Sequence, residues 1–229
     1  MPISAQVLTQ PLCEGEQLPR EEFMRRWEAM PDLKFAELID GIVHMPSPIS
    51  RIHCDFHARL FGWLWTFGSA TPGCTLLPAG TWLMSDDSAP QPDLAFCILS
   101  ERGGQSSIEG EYSAGVPELI VEISYTTGAR DSGIKQRLYE RSGVLEYIIV
   151  KPQKRQIVWN ELAAGKYREI QPGADGLLRS RVFPGLWLNA EALWNNDHTA
   201  LSKAIQQGTS TPEHAGFVRK LASNFTPPQ

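Results

Sequence analysis

Two acidic residues occupy positions where acids are out of place. In PELIVEIS, Leu119, Val121 and Ile123 alternate onto one face of a strand and Ile120 onto the other, which leaves Glu122 as a carboxylate in an otherwise apolar segment. A charge there needs a partner or a metal ion. Asp93 opens the apolar run LAFCI directly after Pro92, whose missing N–H suits the first position of a strand. If the two strands are antiparallel neighbours, the start of one lies beside the end of the other, and Asp93 comes alongside Glu122. Two converging carboxylates repel each other unless a cation sits between them. Mg²⁺ suits such a pair because it takes oxygen ligands, keeps several waters and uses one or two carboxylates together with substrate phosphate, and Mn²⁺ can substitute for it. The backbone carbonyl of Ile123 offers a further oxygen.

Lys135 is the third element. It stands in a helical segment beside the Ile134/Leu138 stripe, so its long stem can run toward the sheet and bring an ammonium to an attacking water or a phosphate. Glu37 joins the group by parity: it shares a strand face with Phe35 and Ile39 while Ala36 and Leu38 take the other, and it could hold a second ion or a water. Each residue has a plainer reading. Asp93 could cap a strand start, and Glu122 could pair with Arg130 or Arg137. Lys135 could be a solvated helix lysine, and Glu37 could sit on an exposed hairpin edge. His53 and His57, four apart on a helix with Cys54 between them, suggest zinc, but no further ligand follows at zinc spacing.

The positioning elements follow from pattern. Pro19 followed by REEFMRRWEAM gives a short helix, and Asp40-Gly41 joins strands at about 34–39 and 42–45 into a hairpin. Residues from Ser50 to Gly68 carry apolar side chains at helical spacing, with Trp65 off the main stripe, which implies a second packing partner and hence a homodimer. Strands are expected at 75–83, 93–99, 118–124 and 146–151, with a helix at 131–142 closed by Gly143. The last two strands and that helix form a βαβ unit, so those strands should be parallel. SERGGQSSIEGEYSAG reads as a solvated loop, RQIVWNEL and GKYREI as a C-terminal hairpin, and SRVFPGLWL as a closing extended segment. The division is an arm at 1–18, one α/β domain at 19–195, and a tail at 196–229, partly helical or mobile.

At 229 residues and 42% apolar content, the chain can bury one large core. With a formal charge of -5, it would repel a polyanion except at a local basic patch. Four scattered cysteines without a CxxC pair fit reduced thiols in a cytoplasm, and neither a secretory leader nor a membrane span is expected. No glycine-rich phosphate loop is present, and Gly103-Gly104 fits none of those patterns.

FAELIDGIVHMPSP, the helix carrying His53, QPDLAF, and PELIVEISYTTGARDSGIKQRLYERSGVLEYIIVKP follow one another in an order that resembles the Uma-type restriction endonuclease family of the PD-(D/E)XK superfamily. The similarity runs from about Phe35 to Leu193. It implies a restriction endonuclease-like α/β fold: a central mixed β-sheet flanked by helices, with an N-terminal hairpin and helix and a C-terminal β-hairpin extension. It also implies Mg²⁺-dependent hydrolysis of phosphodiester bonds, with DNA as the substrate. By this resemblance Asp93 is the aspartate of the first half-motif and Glu122 the acid of the second. The superfamily's lysine usually lies two residues after that acid, where this chain has Ser124, and Lys135 matches a lysine moved to the following helix. Glu37 matches a hairpin glutamate, Asp131 an acidic position just ahead of the lysine, and His53 is a further accessory position. The rival is a non-catalytic module that keeps the scaffold to bind nucleic acid or a protein partner.

Overall fold

The computed structural model describes residues 10–45, 47–124 and 129–226, with the side chains of 129–132 left out. Its elements in chain order are α1 (Arg20–Glu28), β1 (Glu37–Ile39), β2 (Ile42–His44), α2 (Arg51–Ser69), β3 (Cys74–Pro78), β4 (Trp82–Leu83), β5 (Leu94–Ile98), β6 (Ser106–Glu109) and β7 (Tyr112–Gly115). They continue with β8 (Leu119–Ile123), α3 (Ala129–Ser142), β9 (Glu146–Lys151), β10 (Gln156–Ala163), β11 (Lys166–Glu169), β12 (Leu177–Arg179), β13 (Trp187–Asn189), α4 (Ala190–Trp194), α5 (His198–Thr209) and α6 (Pro212–Ser223).

Six strands form the central sheet in the order β11-β10-β9-β8-β5-β3. β8 and β9 are parallel and joined through α3, while the other pairs in the sheet are antiparallel, so the sheet is mixed as expected. The alternation in β8 decides what each face packs against. Leu119, Val121 and Ile123 join the large core under α2, with Phe56, Leu60, Leu64 and Phe67, whereas Ile120 joins Leu138 and Tyr139 of α3 on the opposite side. Ser50 caps α2 by accepting the His53 N–H, which fixes where the helix begins.

A second layer lies at the N-terminal side. The β1–β2 hairpin turns at Asp40 and Gly41, both at positive φ (54° and 75°), and packs Leu38 and Val43 against Phe23 of α1 and Leu83. Residues 10–18, expected as a loose arm, are held there. Leu12 and Leu18 are buried, and backbone bonds from Gly15 N–H to Val43 and from Leu18 N–H to Gly41 tie the segment to the hairpin. Two further expectations need correction. The strand at 75–83 is broken at Ala79 (φ 49°) into β3 of the central sheet and β4 of a small sheet ordered β4-β7-β6. The supposed loop at 100–115 contains the hairpin β6–β7, whose polar strands carry no apolar alternation to reveal them.

Beyond Asn196 the chain forms α5 and α6, with Leu201 and Ile205 buried in the main core. Trp65 is 60% exposed and stacks on Phe61, with ring centroids 5.9 Å apart. Among the described residues no helix is long and apolar enough to cross a membrane.

Candidate active site

The register of β5 against β8 pairs Leu94 with Val121, so one step further along the ladder Asp93 stands opposite Glu122. Asp93 Oδ2 accepts the Ile123 N–H at 2.7 Å, which pins the carboxylate to the end of β8. Its backbone carbonyl accepts the Ala79 N–H at 3.1 Å and lies 3.1 Å from His57 Nε2. The strand-capping role and the site role of Asp93 are therefore compatible, because one oxygen is used for each.

Glu122 is 13% exposed and sits on the α3 face of the sheet. Lys135 and Tyr139, one helical turn apart on α3, both reach its Oε1 at 2.9 Å. Lys135 also meets Glu37 Oε1 at 2.8 Å, so one ammonium bridges two carboxylates. Glu37 is brought in by a chain of contacts. The 85–92 segment runs antiparallel beside β1, with Leu38 and Ala89 exchanging backbone hydrogen bonds, and this places the Gln91 N–H 2.7 Å from Glu37 Oε1. Of the arginines considered as partners of Glu122, Arg137 is exposed and the ion pair is made by Lys135 instead; the Arg130 side chain lies outside the described residues.

His53 completes the floor. Its Nε2 lies 3.1 Å from Asp93 Oδ1, and it stacks on His57 at 6.3 Å between centroids. The hydrogen bond to Asp93 outweighs burial and raises the imidazole pKa, with Glu122 and the Ile123 carbonyl acting in the same direction. Burial pushes Glu122 to about 7; Lys135 opposes the shift, while Asp93 and Glu37 add to it. Burial works against the Lys135 ammonium as well, but Glu122 and Glu37 more than offset it and hold its pKa well above the ordinary value.

These carboxylates outnumber the lysine that serves them. Asp93 Oδ1 has the His53 ring as its partner, and Glu122 lies close enough to that ring to favour its protonation. The donor chemistry fits a hard divalent ion. As the side chains lie, no three His, Cys, Asp or Glu side chains among the described residues are arranged to hold a metal, so an ion would have to take over oxygens now bonded to His53. The zinc reading of His53, Cys54 and His57 gains no added ligand. His53 and His57 face Asp93 instead, and Cys54 is exposed with a free thiol.

Of the remaining expected positions, Ser124 is half-buried at the end of β8 and donates its N–H to the Val150 carbonyl at 2.9 Å. The side chain of Asp131 lies outside the described residues. Tyr139 and Gln91 join this group without having been singled out, and His57, considered only for zinc, meets the Asp93 carbonyl. Tyr139 was signalled by its spacing of four from Lys135, whereas Gln91 contributes a backbone N–H that no side-chain pattern reveals. Glu37, His53, Asp93, Glu122 and Lys135 border a cavity of about 470 Å³ between the N-terminal layer and the central sheet.

The mixed sheet flanked by helices agrees with what comparison with known proteins shows. The chain is similar in structure to a protein from Anabaena variabilis ATCC 29413 whose crystal structure is described as that of "a putative nuclease belonging to DUF820", with a TM-score of 0.60, 12% identity, and coverage of 75% of this chain and 97% of that one. The family described as "Uma2: Putative restriction endonuclease" matches residues 20–191, and the chain belongs to that family. No match is found among curated proteins.

Proposed function

We propose that the protein is an endonuclease that hydrolyses DNA phosphodiester bonds with Mg²⁺, for which Mn²⁺ can substitute. The observation that carries this reading is the meeting of Asp93 and Glu122 at neighbouring strand ends, beside an ammonium shared by Glu122 and Glu37. Asp93, Glu122 and the Ile123 carbonyl would hold the ion, which when bound lowers the pKa of water and offsets charge on phosphate. The chain's own groups do the remaining work. Lys135 orients the attacking water and opposes the negative charge that builds on the phosphate. Tyr139 fixes the Glu122 carboxylate, and Glu37, itself held by the Gln91 N–H, restrains the Lys135 stem. Ser124, Asp131 and His53 are accessory positions in this scheme.

The free cysteine thiols support a cytoplasmic setting, and the exposed Trp65 on Phe61 supports a homodimer, which sedimentation of wild type against Trp65→Ser checks. The decisive experiment incubates purified protein with supercoiled and linear DNA in Mg²⁺, Mn²⁺ or EDTA. Cleavage is expected with either ion and is lost in EDTA and in Glu122→Ala. Identical behaviour of wild type and variant in every condition removes the enzyme reading and leaves the non-catalytic module. Calorimetric Mn²⁺ titration of Asp93→Ala then asks whether these residues are the ones that bind the ion.

A further inference from the structure

The cavity has two unlike halves. Its floor is ionic, with Asp93, Glu122 and Lys135, whereas its mouth carries Phe35, 41% exposed, and Ile49, 58% exposed, from the segments ahead of β1 and α2. Large apolar side chains left in solvent beside a polar floor mark a surface meant to be covered. The volume of about 470 Å³ falls within the range of pockets for single drug-sized molecules, on the order of 300–1,000 Å³. Because Lys135 is already shared by Glu37 and Glu122, the floor takes an anionic group only through the divalent ion proposed above, so a ligand matching both halves needs a phosphate for that ion and a flat apolar end for Phe35 and Ile49.

A nucleotide whose base has left its stack meets both demands, as it does in enzymes that draw one nucleotide out of a helix. An intact duplex meets neither. It binds through rows of Lys and Arg on successive phosphates, yet the chain carries 26 acidic against 21 basic residues, and Lys135 is the one Lys or Arg among the described residues lining the cavity. Stacking on an aromatic ring gives affinity that depends less on charge.

Resting on the nuclease reading of this same site, we propose that the substrate enters as unpaired nucleotides, with a base stacked on Phe35 and flanked by Ile49 and its phosphate directed to the ion that the acidic floor would hold. Fluorescence anisotropy in Ca²⁺, which takes the same oxygen ligands as Mg²⁺, with a labelled single-stranded DNA oligonucleotide and its duplex, alongside Mg²⁺-dependent cleavage of both, tests this on wild type, Phe35→Ala and Phe35→Trp. The single strand should bind at least tenfold more tightly and be cut preferentially; Phe35→Ala should weaken its binding about tenfold, and Phe35→Trp should retain it. Thermal melts confirm that the variants are folded. Duplex cleaved as well as single strand, with Phe35→Ala unaltered, overturns this proposal and leaves the nuclease standing. Single-strand binding that depends on Phe35 without any cleavage supports the stacking site and overturns the nuclease. Absence of both binding and cleavage overturns the two together.

Discussion

Glu122 and Glu146 are two buried acids on adjacent parallel strands, both pushed by burial to about 7, yet they do different jobs. Glu146, at the start of β9, is fully buried and surrounded by neutral donors: Trp159 Nε1 and Ser180 Oγ on one oxygen, and the Arg181 and Val182 N–H groups on the other. It anchors the 180–183 segment to the sheet. Glu122, near the other end of the parallel pair, meets an ammonium and a phenol on one oxygen, faces two more carboxylates, and borders a cavity. Burial and a raised pKa are thus common to both, and only the partners separate the anchor from the acid proposed to react.

The largest expected effect separates them most sharply. Glu122→Gln or Asp93→Asn should lower DNA cleavage about a thousandfold, roughly 4 kcal/mol at the transition state, while leaving the melting temperature close to wild type. Glu146→Ala should reverse that pattern, costing roughly 2–4 kcal/mol in a denaturant titration because it strands four donors, with the rate per folded molecule unchanged. If Glu146→Ala abolishes cleavage at full stability, the distinction is wrong.

The pH dependence sharpens the comparison. A carboxyl raised from 4.5 to about 7 keeps its proton in the folded chain after the unfolded chain has released it, so its contribution to stability is present below pH 4.5 and is lost as the pH rises toward 7. For Glu146 that loss is at most about 3 kcal/mol. Stability measured from pH 4.5 to 7.5 should therefore fall, and Glu146→Gln should flatten the slope. The smallest effect falls on Tyr139→Phe, which removes one hydrogen bond from Glu122 and should slow cleavage about fivefold, or roughly 1 kcal/mol, with folding intact.

Much of this site was legible in the sequence. Glu122 showed itself as a charge in an alternating apolar strand, and Asp93 as an acid behind a strand-opening proline. The parity of Glu37 with Ile39 was also correct, since Ile39 packs on the α3 side while Ala36 and Leu38 pack on the other. Glu146 was hidden because it begins its strand, where an acid looks like an ordinary boundary residue. The β6–β7 hairpin was hidden because its strands are polar. The α5 and α6 segments carry too few large apolar residues to announce their packing, although Leu201 and Ile205 share one helical face.

By its own local chemistry, the chain determined which residues alternate, where turns fall, and that positions 93 and 122 hold acids in apolar surroundings. Tertiary structure decided that β5 lies beside β8 in the register that joins those acids, that α3 returns Lys135 and Tyr139 onto Glu122, and that the 85–92 segment delivers Glu37. The physical reason is range. Periodicity and turn propensity are set by neighbours in sequence, whereas strand order and the choice of partner for a buried charge are set by packing across the whole core.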